Sequence, residues 1–172
     1  ASLLRHYRFS AGSGDLAEAL GSALEEIGAT VATAESCTAG LISKRITDWP
    51  GSSRYFLGGL VVYSDEAKIR LLGVPREVLM NEGAVSREVA EEMAKGAAHR
   101  FGASAGIGVT GIAGPGGGSA EKPVGTVWYA ATLHGRVTSR KDRFLGSREV
   151  VRERAAQAAM ALLLNLADGR VE

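Results

Sequence analysis

A hydroxyl and a thiol stand side by side in the segment ESCTAG (residues 35–40), between a short apolar run and a helical pattern. Backbone N–H groups are unpaired where a helix begins, and they can stabilise the oxyanion that forms when a nucleophile attacks a carbonyl carbon. We therefore expect Ser36 to be a nucleophile. Two alternatives stay open. Ser36 can be an ordinary helix N-cap, and Cys37 can be either a rival nucleophile near the helix N-terminus or a small buried apolar residue.

Histidine is not the expected proton acceptor for this serine. The three histidines, His6, His99 and His134, fall in an N-terminal tail, late in a helix and at a hairpin tip. Tyr63, at the end of an apolar run, and Lys68, in the first turn of the next helix, suit the role better. A partly desolvated lysine can take up a proton near neutral pH, because burial disfavours its charged form. Taken singly, Lys68 can also be a surface lysine, and Tyr63 an aromatic residue at a sheet edge.

Glycine is concentrated in TGIAGPGGGSAEKPVGT (residues 110–126), which holds six glycines and two prolines. This segment is not a Walker loop, since GxxxxGK[ST] is absent. Its backbone N–H groups can face a ligand, or it can be a flexible surface loop. Arg148, just after Ser147 at the start of the last helix, can clamp a phosphate or a carboxylate, or be a solvated helix charge beside Arg152 and Arg154.

Composition excludes several classes of protein. The 172 residues are 45% hydrophobic, which excludes a disordered chain, and no apolar run reaches the roughly 18 residues that a membrane span needs. The formal charge of +1 argues against a protein held to nucleic acid by phosphate neutralisation. A single cysteine cannot form an internal disulfide, and no apolar signal segment opens the chain. We expect a cytoplasmic protein without nucleic-acid or membrane partners. Self-association stays open.

Cofactor chemistry is not indicated either. No cluster of His, Cys and carboxylate residues has metal-ligand spacing, so we expect no catalytic metal and no cofactor.

The elements that must position these residues follow from periodicity and from helix-capping signals. Helices are predicted for residues 16–27, 37–47, 65–72, 86–101 and 147–166, with a turn at Pro75, and strands for residues 29–35, 56–63, 103–111, 124–133 and 137–145. The apolar run 56–63 predicts a buried strand, and the last two strands form a hairpin. Residues 1–14 are expected to be a flexible tail, and residues 15–168 a single domain.

This order of elements predicts an α/β layered fold with a mixed, partly parallel sheet covered by helices. Ligands of such sheets gather at the carboxyl ends of the strands, beside helix N-termini. Three segments turn there from strand into loop or helix with polar residues at the turn: 35–40, 63–68, and 110 onward. We expect these three segments to form one site.

Five motifs recur in a fixed order along the chain: TAESCTAG, VVYSDEAKIRLLGV, EGAVS, GVTGIAGPGGGSAEKPVGTVW and FLGSREVVRERA. Together they resemble the CinA C-terminal domain family, the nicotinamide-nucleotide amidases, over roughly residues 16–166. The resemblance implies hydrolysis of the carboxamide of nicotinamide mononucleotide to nicotinate mononucleotide and ammonia, in pyridine-nucleotide salvage. A catalytically silent nucleotide-binding or competence-related regulatory module is the alternative.

The resemblance also implies roles for individual residues. Ser36 matches the nucleophile of a metal-free serine amidase, and Tyr63 and Lys68 match the residues that activate the serine and move its proton. Arg148 matches a position suited to the substrate phosphate. The substrate-binding residues expected in this way are Cys37, Thr38, Thr110, Gly111, Gly114 and Arg148. One departure stands out, since the family usually has two glycines after the threonine of the first motif, and here they are Ala39 and Gly40.

Overall fold

The structure, a computed structural model, describes residues 15–170, so the predicted tail at residues 1–14 lies outside the described residues. The helices are α1 (Leu16–Glu26), α2 (Leu41–Thr47), α3 (Asp65–Leu72), α4 (Arg76–Glu82), α5 (Arg87–Phe101) and α6 (Arg148–Ala167). The strands are β1 (Val31–Glu35), β2 (Phe56–Val61), β3 (Ala105–Gly111), β4 (Thr126–Leu133) and β5 (Arg136–Arg143), and a short 3-10 helix covers Ser52–Arg54.

The five strands form one mixed sheet in the order β2-β1-β3-β4-β5. The pairs β1–β2 and β1–β3 are parallel, whereas β3–β4 and the hairpin β4–β5 are antiparallel. The expected fold class, a single-domain α/β fold with a mixed, partly parallel sheet, is confirmed. One helix was missed, because α4 follows Pro75 where the sequence predicted only a turn.

Helices cover both faces of the sheet. On one face α1, α2 and α6 pack against Val31, Ile107 and Val127 of the strands. On the other face α3, α4 and α5 pack against Ala32 and Ala34. Adjacent strand residues point to opposite faces, so each central strand contributes to both layers of the core. None of the helices within residues 15–170 is long and apolar enough to cross a membrane.

Two glycines of β3 bring α5 unusually close to the sheet. A Cβ atom at Gly106 would overlap the carbonyl oxygen of Ala94, and one at Gly108 would overlap that of Ala90. Both carbonyls belong to α5, so the backbone of that helix lies directly on the strand. This contact fixes the N-terminal end of α5 relative to the carboxyl end of β3.

The prediction of a buried strand at residues 56–63 is wrong in burial and in length. Strand β2 ends at Val61 and lies at the edge of the sheet, and its residues alternate between partly buried and exposed. Leu57 and Val61 are 42% and 52% exposed. A short apolar run has the same composition in a central strand and in an edge strand, so the sequence pattern could not separate the two.

Candidate active site

The carboxyl ends of the three parallel strands bring the predicted segments together. Glu35 is in register with Val61 on one side and with Val109 on the other. The N–H of Ser36, the next residue of the chain, donates to the carbonyl oxygen of Val109 at 3.0 Å. Segment 35–40 therefore lies between the segment that follows β2 and the end of β3, as expected for one site at this edge.

Ser36 lies in a turn and not at the start of a helix. Residues 36–40, called the Ser36 turn below, precede α2, whose N-cap is Gly40. The prediction that Ser36 caps a helix over residues 37–47 is therefore wrong. Ala39 and Gly40 adopt φ of 51° and 93°, and two left-handed residues in succession cannot continue a right-handed helix. Ser36 is thus not the cap of α2, and it is 8% exposed.

Glu35, which the sequence analysis did not single out, caps α2 instead. Its Oε2 accepts from the N–H groups of Gly40 at 2.9 Å and Ile42 at 3.1 Å. Its Oε1 accepts from the N–H of Ser43 at 2.9 Å and from the Ser43 Oγ at 2.8 Å. The side chain is wholly buried. The available signal was a carboxylate in an otherwise apolar strand, since a buried charge must find donors.

The Cys37 thiol is buried in the hydrophobic core rather than presented to the site. It is 4% exposed and packs in the same cluster as Ile42 and Val109. Burial raises the pKa of this thiol to about 12, which favours the alternative of a small buried apolar residue over that of a rival nucleophile. Because α2 begins only at Leu41, no helix N-terminus starts at Cys37 to offset the desolvation. This favours Ser36 over Cys37 as the nucleophile.

Lys68 is a buried lysine, which is rare in proteins. It is 1% exposed, so the surface-lysine alternative is wrong. Its Nζ donates to the carbonyl oxygen of Tyr63 at 3.5 Å and to Asp65 Oδ1 at 3.3 Å. Ser64 accepts from the N–H of Ala67 and so caps α3, which fixes Lys68 in the first turn. The amine is therefore held next to the backbone of the tyrosine that the sequence paired with it.

Arg148 joins two of the predicted segments. Its Nη1 donates to the carbonyl oxygen of Gly114 at 2.8 Å, and its Nη2 donates to the Tyr63 hydroxyl at 3.0 Å. Arg148 is exposed, so it is a solvent-accessible charge as the alternative expected, but its guanidinium also bonds two other segments of the chain. A guanidinium carries five N–H donors, so these contacts leave others for a ligand. Tyr63 itself is 60% exposed and lies beyond the edge strand, and its hydroxyl accepts from Arg148.

Arg152 is a site neighbour that the sequence analysis treated only as a surface charge. Its Nη2 donates to the carbonyl oxygen of Thr38 at 2.9 Å, which ties α6 to the Ser36 turn. The spacing of four residues from Arg148 was the available signal, because residues i and i+4 share a helix face. The Thr38 hydroxyl is buried and has no hydrogen-bond partner among the described residues, as is also true of Arg152 Nε.

Thr110 and Gly111 lie at the end of β3. The Thr110 hydroxyl is buried and donates to the carbonyl oxygen of Ala84 at 2.7 Å, which holds the EGAVS segment against the site. A Cβ at Gly111 would lie 2.7 Å from Val127 Cγ2, so only glycine fits there. The substrate contacts predicted for both residues stay predictions.

The base of the glycine-rich loop is tied by two backbone hydrogen bonds. Ile112 N–H donates to Thr126 O at 2.8 Å, and Gly125 N–H donates to Ile112 O at 2.7 Å.

Within the described part of the chain, no group of three or more His, Cys, Asp or Glu side chains is placed to hold a metal ion.

Comparison with known families assigns the chain. The model of the CinA C-terminal domain matches residues 13–167. The chain belongs to the CinA C-terminal domain family. A CinA-like protein of Desulfotalea psychrophila is 52% identical to this CinA domain over 149 residues, which cover 86% of this chain and 36% of that protein. This CinA domain spans less than half the length of the curated relatives that it matches.

Solved structures carry the same fold. The competence/damage inducible protein CihA of Agrobacterium tumefaciens is 42% identical, with a TM-score of 0.85, and the match covers 92% of this CinA domain and 99% of that chain. A CinA superfamily protein of Klebsiella pneumoniae is 35% identical, with a TM-score of 0.86 and coverage of 90% and 96%. The names of these relatives state no reaction.

Proposed function

We propose that this CinA domain is a serine amidohydrolase that converts nicotinamide mononucleotide to nicotinate mononucleotide and ammonia. The observation that carries the proposal is a buried lysine, Lys68, bonded to the backbone of Tyr63 at the same sheet edge as Ser36. Burying a lysine side chain costs free energy, so the burial of Lys68 does not help the domain to fold. Buried lysines in proteins commonly work as acids or bases.

The chemistry assigns one role to each of the three side chains. Ser36 Oγ attacks the carboxamide carbon, and its proton passes through Tyr63 and Lys68 to the leaving nitrogen. Ammonia departs and leaves a nicotinoyl ester on Ser36. Water then attacks the ester, and the same pair takes the water's proton and returns it to Ser36 Oγ as that oxygen leaves. The acid product ionises to the carboxylate, and the free serine is regenerated. Backbone N–H groups near the strand ends are suited to stabilise the oxyanion of each tetrahedral intermediate.

The preference for a mononucleotide rests on Arg148 and the glycine-rich loop. Arg148 lies in the first turn of α6 and retains unpaired N–H donors after bonding Gly114 and Tyr63. An arginine beside the free N–H groups of a helix N-terminus is suited to an anion such as a phosphate. A pocket for free nicotinamide, which carries no phosphate, would not need an anion-binding arginine at this place.

Ammonia release from nicotinamide mononucleotide, measured beside calorimetric binding of the same ligand, tests the proposal. We expect turnover by the wild-type chain and none by Ser36→Ala, which should still bind the ligand. Binding without ammonia release by the wild-type chain would overturn the amidase and favour the nucleotide-binding module. Absence of both would exclude the mononucleotide as the ligand.

A further inference from the structure

Glu35 is a wholly buried carboxylate next to the proposed nucleophile, and it accepts from Gly40 at the end of the Ser36 turn and from Ile42 and Ser43 in the first turn of α2. Ser43 Oγ, which donates to it, also contacts Thr33 Oγ1 at 2.7 Å. We propose that Glu35 is a positioning residue that closes the Ser36 turn and so sets the direction from which the serine attacks. This inference rests on the proposed amidase function.

The geometry is that of a loop held at both ends. At its start, Ser36 N–H is bonded to Val109 O, which belongs to the neighbouring strand. At its end, Gly40 N–H is bonded to the Glu35 carboxylate, so the side chain reaches across the turn that its own backbone begins. Between these ends Ala39 is held at φ 51°, a conformation that alanine seldom adopts. The Glu35 carboxylate is therefore one of the contacts that keep the turn in this shape.

Glu35 does not act as the general base. Its two oxygens accept from four donors, namely three backbone N–H groups and one hydroxyl. None of these four hydrogen bonds involves Ser36. Each oxygen accepts two of these bonds, so both oxygens serve as acceptors. A glutamine of the same shape would turn an NH₂ group toward N–H donors. Glutamate and glutamine therefore differ at this position in the number of hydrogen-bond acceptors and in charge, although their shapes are the same.

The experiment compares Glu35→Gln with the wild-type chain in kcat, KM and amide hydrogen exchange. We expect kcat to fall about a hundredfold, because a misdirected nucleophile lowers the rate of the chemical step, while KM stays within about threefold. By NMR, the amides of Gly40 and Ile42, or that of Ser43, should exchange at least about tenfold faster relative to the amides of β3, because the NH₂ group that replaces one carboxylate oxygen cannot accept a hydrogen bond.

Two further variants separate positioning from folding. Leu24→Ala removes a core side chain of α1, which packs against α6 and lies away from the Ser36 turn, and it should lower the melting temperature with little change in kcat. Ser43→Ala removes one donor but leaves both contacts of Oε2, so its loss of kcat should be much smaller than that of Glu35→Gln. A kcat of Glu35→Gln no lower than that of Leu24→Ala at matched stability would overturn the inference.

Failure of the proposed function would be recognised separately. If the wild-type chain releases no ammonia, the amidase proposal fails, and the exchange of the Gly40, Ile42 and Ser43 amides alone decides whether Glu35 holds the turn. If the wild-type chain is active and the relative exchange of these amides is unchanged in Glu35→Gln, the positioning role fails and the amidase stands.

Discussion

The two edges of the parallel half of the sheet differ in how their polar groups are satisfied. At the amino edge, Thr30 and Ser104 bond each other, with Thr30 N–H donating to Ser104 Oγ at 3.3 Å and Ser104 N–H donating to Thr30 Oγ1 at 3.1 Å. At the carboxyl edge, Lys68 is buried, and Thr38 Oγ1 lacks a hydrogen-bond partner among the described residues. Folding alone favours neither a buried lysine nor a buried hydroxyl without a hydrogen-bond partner. Both of these groups belong to the carboxyl edge.

A cavity of about 490 Å³ lies at the amino edge, where Ser104, Thr132 and His134 are among its lining residues. None of these residues is a buried charge. The carboxyl edge is distinguished instead by Lys68, Glu35 and the arginines of α6, so buried charge and incomplete hydrogen bonding are the better guide to function here.

The largest expected effect separates two serines, one at each edge. Ser36→Ala should lower kcat for nicotinamide mononucleotide about a thousandfold or more, with ligand affinity within about tenfold, because only the nucleophile is removed. Ser104→Ala should lower the melting temperature, since it breaks the contacts with Thr30, and should leave kcat nearly unchanged. Equal losses of kcat in both variants would remove the distinction between the edges.

Lys68 variants are expected to have the next largest effect. Lys68→Ala should lower kcat by about 10²- to 10⁴-fold with a much smaller change in KM, because the side chain moves a proton in the chemical step. Lys68→Met fills the same volume without the amine and should be just as inactive, which separates chemistry from packing. Lys68→Arg should not restore activity, since arginine stays protonated. Full activity of Lys68→Arg would remove Lys68 from the base role.

Arg148 should matter only for substrates that carry a phosphate. A charged hydrogen bond is worth about 1.5–3 kcal/mol, so Arg148→Ala should lower kcat/KM for the mononucleotide by roughly 10- to 150-fold. For the phosphate-free riboside, kcat/KM should be low for the wild-type chain and scarcely lower for the variant. Equal losses on both substrates would mean that the contacts with Tyr63 and Gly114, and not the phosphate, explain the effect.

The smallest effect is expected at Ala39, where the family usually has glycine. A left-handed alanine is disfavoured by about 1–2 kcal/mol, whereas glycine loses about 0.5–1 kcal/mol more backbone entropy on folding. Ala39→Gly should therefore be neutral or raise the melting temperature by up to about 4 °C, with kcat within about twofold. A clear decrease in melting temperature, measured by calorimetry, would contradict the assignment of strain to this residue.

The sequence predicted most elements because their ends carry local signals. Asp15, Ser64, Ser86 and Ser147 each cap a helix next to a predicted helix start, since capping depends only on the following turn. Ser36 is a serine like three of these caps, but it does not cap α2. The left-handed Ala39 and Gly40 separate it from the helix, and the Glu35 carboxylate supplies the cap. A positive φ at alanine has no signal in a single sequence.

The site also has a part that the sequence could predict and a part that it could not. The approach of segments 35–40, 63–68 and 110 onward followed from strand order, because parallel strands end at one edge. The contacts of Arg148 with Tyr63 and Gly114, and of Arg152 with Thr38, depend on the packing of α6 across the sheet. Residues 34 to 114 positions apart meet there, and no local pattern encodes which groups they bond.

Trapping the covalent intermediate tests the central claim most directly. The wild-type chain is mixed with nicotinamide mononucleotide, quenched in acid within the first turnover, digested, and searched by mass spectrometry for a nicotinoyl-mononucleotide adduct on the peptide that contains Ser36 and Cys37. The account predicts an ester on Ser36 that also forms in Cys37→Ala and is absent from Ser36→Ala. An adduct on Cys37, or an adduct that persists in Ser36→Ala, would contradict it.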